Sequence, residues 1–411
     1  MRHVVVMVTT SYPRFPGDSV GTFMEPIAKS VAALGHAVHV VAPWHPRITR
    51  GSSEDGVSFH FYRYAPVPAL NVFGYASALR ADVRLKGAAL AAAPLALAAG
   101  WRAVRRVIRE SRATIVHAHW VIPGGAIAAA AARRLPLVVS LHGSDVFVAE
   151  TFAPARRAAR LVFARAGAIT ACSADLASRA IALGADAGRV EVIPYGVDVE
   201  RFRPDRAARS RLRGQLPADE GATVVFAAGR LVRKKGFEYL IEAVGRLPPS
   251  ARTILVIAGH GDLGEELHQR AEVAARGRVT FLGDQPQDAV AAWMSAADVV
   301  AVPSVRDEAG NVDGLPNVVL EALASGTPVV TTAAGGIGSV VEDGRTALVV
   351  AERDPAALAA ALSRLAGDAG LRRRLSASAR IVAAERFGWA GAARRFDAAY
   401  AAALALKSGR N

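Results

Sequence analysis

Short apolar runs rich in Val and Ile alternate with long Ala-rich stretches along this chain, and that alternation constrains the fold most. HVVVMVT, AVHVVAP, TIVHAHW and LPLVVSLHG lie before residue 150; TVVFAAGRL, TILVIAG, RVTFLG, DVVAVPS and TPVVTT follow residue 220. Continuous apolar strands separated by helical segments build parallel sheets covered on both faces. Both halves therefore read as doubly wound α/β, and 411 residues exceed what one hydrophobic core holds. The join falls in VEVIPYGVDVERFRPD, where a strand ends at Ile193–Pro194 and Gly196 turns into an extended segment with Pro204. This places a boundary between about 196 and 218. The closing stretch, ERFGWAGAARRFDAAYAAALALK, has helical periodicity with Phe387, Trp389, Phe396 and Tyr400 along it. Ligands of such sheets sit beyond the carboxyl ends of the strands. The polar residues just after each strand are the candidates.

Composition narrows the partners. With 52% hydrophobic and 21% charged residues the chain is globular rather than disordered. Its single cysteine, Cys172, reads as a structural thiol at a buried strand end, which suits a reducing compartment. Fifty Lys and Arg against 36 Asp and Glu give +14, a field suited to nucleic acid, an anionic membrane or a phosphorylated ligand. No zinc-finger spacing, RNA-binding aromatic motif or concentrated basic helix accompanies it, which argues against nucleic acid. MRHVVVMVTTSYPRF reads as a buried first strand rather than a secretory signal. Gly87–Trp101 is apolar but shorter than a membrane span; Arg80, Arg84 and Lys86 precede it, and Arg102, Arg105, Arg106 and Arg109 follow. It is either a core helix or a helix lying on an anionic bilayer.

Two segments carry chemistry at strand ends. In FAAGRLVRKKGFEYLIEAV a strand ends at Gly229, a helix begins near Gly236, and Arg230, Arg233, Lys234 and Lys235 lie between. Cations between a strand end and a helix N-terminus form an anion site, or else a solvated loop. In DGLPNVVLEALASGTP, Asp313 precedes a tight turn and Glu321 lies one turn into the next helix, with Asn317 as N-cap and Gly326 as terminator. Glu321 would repel a phosphate, but it suits the vicinal hydroxyls of a ribose. Asp313 would then serve a second hydroxylated group. The alternative makes Glu321 a carboxylate favoured by the helix dipole and Asp313 a turn former. His117 and His119 share a strand face at ligand-like spacing but lack a third partner, so a core or acceptor-side role is expected rather than a metal.

Taken in order, FPGDSVGTFMEPIAKSVAALGHAVHVVAP, SLHGSDV, IPYGVDVERFRP, GRLVRKKGFEYLIEAV, DGLPNVVLEALASGTPVV and RFGWAGAARRF resemble the retaining glycosyltransferases of family 4 over nearly the whole chain. The family's acid, seven residues, then Glu is here Asp313 to Glu321. The resemblance implies a GT-B fold, two doubly wound Rossmann-like domains facing across a cleft. They would span residues 1–200 and 201–385, with a helix of about 386–408 crossing back onto the first. It assigns Arg230 and Lys235 to a donor diphosphate and Glu321 to the ribose. Asp313 and the backbone of Gly314, Leu315, Pro316 and Asn317 take the transferred sugar and phosphate. His142 lies near that sugar, and Gly21 lets the first loop approach the diphosphate. Two departures stand out: Asp313 replaces the usual Glu, and Pro316 removes a backbone donor where a glycine is common. Asp307 and Glu308 are candidates to compensate for the shorter acid. No carboxylate pair for a covalent mechanism is identifiable, so neutralising the leaving diphosphate would do most of the catalysis. The expected reaction moves a hexose from a nucleotide diphosphate sugar to a lipid-linked or saccharide hydroxyl, in the cytoplasm or on the inner membrane face, without metal or cofactor. A nucleotide-sugar isomerase or epimerase and a non-catalytic partner of the same fold are the alternatives.

Overall fold

The computed structural model describes residues 2–408 except 19, 68–69, 72–73, 76–78, 81–83, 86 and 217–220. Lys86 lies outside the described residues, as do the side chains of Arg80 and Arg84. The chain forms two compact units, Met1–Tyr195 with Trp389–Asn411, and Gly196–Gly388.

The first unit carries β1 (Val4–Val8), β2 (Ala37–Pro43), β3 (Ser53–Glu54), β4 (Val57–Tyr62), a small pair β5 (Leu79–Arg80) and β6 (Arg84–Leu85), then β7 (Ile115–His119), β8 (Leu137–Leu141), β9 (Ala168–Ala171) and β10 (Val190–Val192). Its main sheet runs β10-β9-β8-β7-β1-β2-β4-β3, parallel except for β3. β4 is absent from the strands expected from apolar runs. Its sequence, VSFHFY, alternates apolar and polar residues, and its burial alternates at the start in step. A strand near a sheet edge with one covered face shows period two rather than a continuous run. The helix Trp389–Ser408 belongs to this unit and buries Phe396 and Tyr400 in the core that holds Val5, Met7, Met24 and Ile27.

The second unit carries β11 (Thr223–Ala228), β12 (Thr253–Ala258), β13 (Val279–Gly283), β14 (Val299–Val302), β15 (Val329–Thr332) and β16 (Leu348–Val350), ordered β13-β12-β11-β14-β15-β16. Every pairing is parallel. The chain builds outward from β11 to β13, then restarts at β14 on the other side of β11. Strand order therefore reverses between β11 and β14, which is where a doubly wound sheet opens a ligand crevice. On one face the strands bury Val225, Leu255, Ile257, Val299 and Val330 in a core with the helix residues Leu240, Leu267, Leu358 and Leu375.

The loops after β11 and β14 lock together. Val305 N donates to Lys234 O at 2.9 Å. Gly236 has φ +65°, and a Cβ there would lie 2.0 Å from Pro303 O. Both the handedness and the close approach require glycine. Gly236→Ala is expected to cost about 1–3 kcal/mol and to lower the melting temperature by roughly 2–10 °C in thermal denaturation. An unchanged melt would show that the two loops separate without penalty.

Candidate active site

The four cations after β11 divide between separate partners. Lys234 and Lys235 turn to Asp313: Lys234 Nζ stands 3.1 Å from Oδ1, and Lys235 Nζ 2.5 Å from Oδ2. Arg233 instead pairs with Glu266 at 2.7 Å and approaches Glu238 at 3.8 Å, while Arg230 is exposed. A short 3-10 turn over Arg233–Lys235, closed by left-handed Gly236, makes this division. It sends consecutive lysines to the same carboxylate. The Lys235 stem lies over Gly229, whose absent Cβ would sit 3.4 Å from its Cε. Burial opposes ionisation of Asp313, but the Lys235 and Lys234 ammoniums outweigh it and hold the carboxyl well below the ordinary range. The trio carries one net positive charge at neutral pH.

Asp313 thus spends both oxygens on ammoniums, and Lys234 enters the site beside the expected Lys235. A third loop completes the enclosure: Gly335, at φ +57°, would bring a Cβ within 2.1 Å of Asp313 O. Gly314, Leu315 and Pro316 follow, all buried, and lead into the helix Asn317–Ser325. That helix corrects two expectations. Its N-cap is Pro316 rather than Asn317, and no side chain caps it. Asn317 is the first helical residue, and its Oδ1 is buried without a hydrogen-bond partner. Proline is suited to the boundary because its φ is pre-set and it has no N–H to leave unpaired. The uncapped first turn directs backbone N–H groups beyond the strand ends. Gly326 ends the helix in the left-handed conformation, as its position predicts. Asp307 shapes its own loop, its Oδ1 accepting from Ala309 N at 3.0 Å and Asn311 N at 2.9 Å. Glu308 is exposed.

Glu321 has a different environment. Burial raises its carboxyl to about 7, against smaller opposing effects from Arg201, Lys235 and a hydrogen bond with Gln287. Arg201 is anchored in turn, 2.9 Å from Gln287 Oε1 and 2.9 Å from Asp288. Sequence reasoning did not assign Arg201 or Gln287. The signal for Arg201 lay inside IPYGVDVERFRP, where Asp198 accepts from the Glu200 and Arg201 amides and fixes the turn.

In the first unit, order reverses between β1 and β7, and the loops beyond them hold Gly21 and Trp120. Gly21 has φ +68°, and a Cβ would meet Ser11 Oγ at 2.7 Å, so the loop's own packing already requires glycine. His142 follows β8. Its Nδ1 pairs with Tyr195 Oη at 2.6 Å, and its Nε2 with His119 Nδ1 at 3.1 Å. Phe23 lies against the His142 and Tyr195 rings at 4.9 and 4.8 Å. His117 bonds Tyr400 Oη at 2.9 Å and Ser140 Oγ at 2.7 Å. Burial lowers His117 and His142 to about 3 and His119 well below its ordinary value, so the rings are neutral. His117 and His119 are core residues in a hydrogen-bonded network. Among the described residues no group of three His, Cys, Asp or Glu is placed to hold a metal.

Two doubly wound units, with paired cations, a separate carboxylate and a helix N-terminus at the switch point of the second, define a class that binds anionic nucleotides. Comparison with known proteins makes this specific. Residues 20–201 match the model of Glycosyltransferase Family 4, and residues 222–368 match Glycosyl transferases group 1. The D-inositol 3-phosphate glycosyltransferase of Xylanimonas cellulosilytica is 34% identical over 313 residues, covering 72% of this chain and 73% of that protein. The putative teichuronic acid biosynthesis glycosyltransferase of Bacillus subtilis is 31% identical over 262 residues, covering 62% of each. In fold, the chain matches sucrose-phosphate synthase of Thermosynechococcus elongatus with TM-score 0.78 and 20% identity over 98% of this chain and 100% of that one. It also matches Anabaena HepE, solved in complex with UDP, with TM-score 0.75 and 21% identity over 96% and 98%. The chain belongs to the group 1, family 4 glycosyltransferases, with two Rossmann-like domains of GT-B type. It is a glycosyltransferase.

The raised Glu321 carboxyl makes stability depend on pH. Folded, it keeps its proton to about 7; unfolded, it releases it near the ordinary 4.5. The folded chain therefore holds more protons in that window, and this group's contribution falls as pH rises through it. Glu321→Gln removes the effect. In denaturant titrations its stability relative to wild type should climb by roughly 1–3 kcal/mol between those values and level off above. A constant difference across that range would place Glu321 in contact with solvent.

Proposed function

We propose that the enzyme transfers a hexosyl group from a nucleotide diphosphate sugar, with retention of configuration, to a hydroxyl on a phosphorylated or acidic acceptor that is either a saccharide or lipid-linked. The observation that carries the donor part is the Lys234–Asp313–Lys235 cluster at the switch point beside the helix Asn317–Ser325. In this reading Lys235, Arg230 and the amides of Gly314, Leu315 and Asn317 hold the diphosphate. Pro316 contributes shape without a donor. Glu321 accepts the ribose hydroxyls, and Asp313 faces the hexose while keeping Lys235 aimed at the leaving group. Charge builds on the diphosphate as the glycosidic bond breaks, and fixed cations lower that barrier. The reading requires neither metal nor cofactor. The relatives named for inositol 3-phosphate and teichuronic acid have anionic names, and the +14 charge of this chain suits an anionic acceptor.

An anionic membrane surface belongs to the same proposal. The helix Gly87–Ser111 exposes Leu95 and Leu97, 55% and 40% accessible, and then Arg102, Arg105, Arg106 and Arg109. Leu95, Arg102, Arg106 and Arg109 fall on one face at helical spacing. Among the described residues no helix is long and apolar enough to cross a membrane. Attachment on the cytoplasmic leaflet would be peripheral, with about 1 kcal/mol per basic residue near the surface.

Lys235→Ala and Arg230→Ala are each expected to slow transfer by at least about tenfold, equal to roughly 1.4 kcal/mol of barrier. Glu321→Ala should weaken donor binding by about 1.5–3 kcal/mol in calorimetry. Wild-type rates and affinity would remove the diphosphate and ribose assignments, and conversion of the donor without acceptor would replace transfer by isomerisation. For the membrane, sedimentation with vesicles of rising anionic-lipid content should recover more protein in the pellet at low salt than at high. Equal recovery in the supernatant throughout would leave the helix as a core element.

A further inference from the structure

The second unit has a cavity at the edge of its sheet opposite the donor loops. It holds about 540 Å³ and opens between the helix Arg206–Arg213, the start of the helix Ala369–Arg386, and the segments leading into β14 and β15. Five arginines line it against two aspartates. Both aspartates have structural work. Asp205 caps its helix through Ala208 N at 3.0 Å, and Asp298 is held by Arg209 at 2.5 Å and by Arg213. Four guanidiniums remain without a carboxylate among the described residues. Arg372 and Arg380 donate only to carbonyl oxygens, of Ala366 at 2.8 Å and Ala324 at 2.6 Å respectively. Arg206 and Arg373 are exposed.

The carbonyls that Arg372 and Arg380 reach close the helices Pro355–Gly367 and Asn317–Ser325, and their partial negative charge offsets only part of each guanidinium's. Four such charges around one concavity repel one another, and a bound anion relieves that repulsion. The forked donors match phosphate oxygens two at a time, which a single point charge cannot do. The volume exceeds that of one phosphate ion and lies within the range of small-molecule sites. The donor loops cannot share this ligand. The helix Asn317–Ser325 lies between the two places, with Asn317 at the donor end and Ser325 lining the cavity; at 1.5 Å per residue it spans about 13 Å.

We propose that this cavity is a second anion site that takes a ligand bearing two phosphates, through Arg206, Arg372, Arg373 and Arg380. Part of the chain's positive excess then has a use unconnected with the donor. The test is calorimetry of the full chain with sodium pyrophosphate in four forms: wild type, Arg206→Glu/Arg373→Glu, Lys235→Ala, and all three changes together. Lys235→Ala weakens the donor site, so its background reads the cavity separately. In both backgrounds the paired reversal is expected to weaken a pyrophosphate-binding phase by at least about tenfold, with donor affinity unchanged and the melting temperature not lowered. Should the reversal fail to fold, Arg206→Gln/Arg373→Gln gives the same reading without introducing acids. Pyrophosphate affinity unaffected by these arginines in both backgrounds would overturn the proposal. Vesicles containing a lipid with a diphosphate headgroup then identify the source. Competition with pyrophosphate in the Lys235→Ala background assigns the site to a lipid headgroup, and its absence assigns it to a soluble phosphate ester.

Discussion

The carboxylate of Asp313, clasped by Lys234 and Lys235, is the interaction on which the strand-end loops of the second unit are organised. Removing a charge from water costs several kcal/mol, and only a matching charge at short range offsets it. Here two ammoniums do so, at 3.1 and 2.5 Å. They come from the loop after β11, the carboxylate comes from the loop after β14, and Gly335 after β15 closes over the Asp313 backbone. Three loops from adjacent strands are thereby held in one arrangement. The same contact aims Lys235 and keeps the basic loop from collapsing onto other acids, as Arg233 does with Glu266.

Seven residues separate Asp313 from Glu321, yet their surroundings drive them in opposite directions. Both are taken from water, which favours the protonated form. At Asp313 the lysines reverse that effect; at Glu321 the cations are weaker in influence and burial prevails, raising the carboxyl to about 7. One acid is thus permanently ionised, and the other is poised near neutrality. Separating two acids by environment is how a site gives identical functional groups different tasks. A carboxyl that loses its proton near 7 changes from donor to acceptor for the groups placed against it.

The first unit uses buried polar groups differently. His117, His119 and His142 form a neutral network with Ser140, Tyr195 and Tyr400, and Thr170 bonds Ser140 Oγ at 2.6 Å. Tyr400 comes from the terminal helix Trp389–Ser408, so this network ties the end of the chain to the strands that carry the histidines. Buried imidazoles that remain uncharged avoid the cost of desolvating a cation and still fix side-chain direction.

Much of this was legible in the sequence because parallel strands covered on both faces must be apolar along their length. The runs at Thr223–Ala228 and Val299–Val302 announced themselves, and so did Gly326, where the helix Asn317–Ser325 ends left-handed. VSFHFY stayed hidden because only one face of β4 is fully covered, and its polar positions broke the run. Local sequence also marked the cationic loop and the spaced acids of the candidate site. It could not say that Lys234 and Lys235 share one carboxylate, that Arg233 turns away to Glu266, or that Asp307 serves its own turn. Nor could it bring Arg201 and Gln287, 86 residues apart, to Glu321. Periodicity and glycine positions follow from short-range sterics and solvent, which the sequence by itself determined. The partners and ionisation of each charge depend on groups distant in the chain and on how far water is excluded, which only the tertiary structure decided.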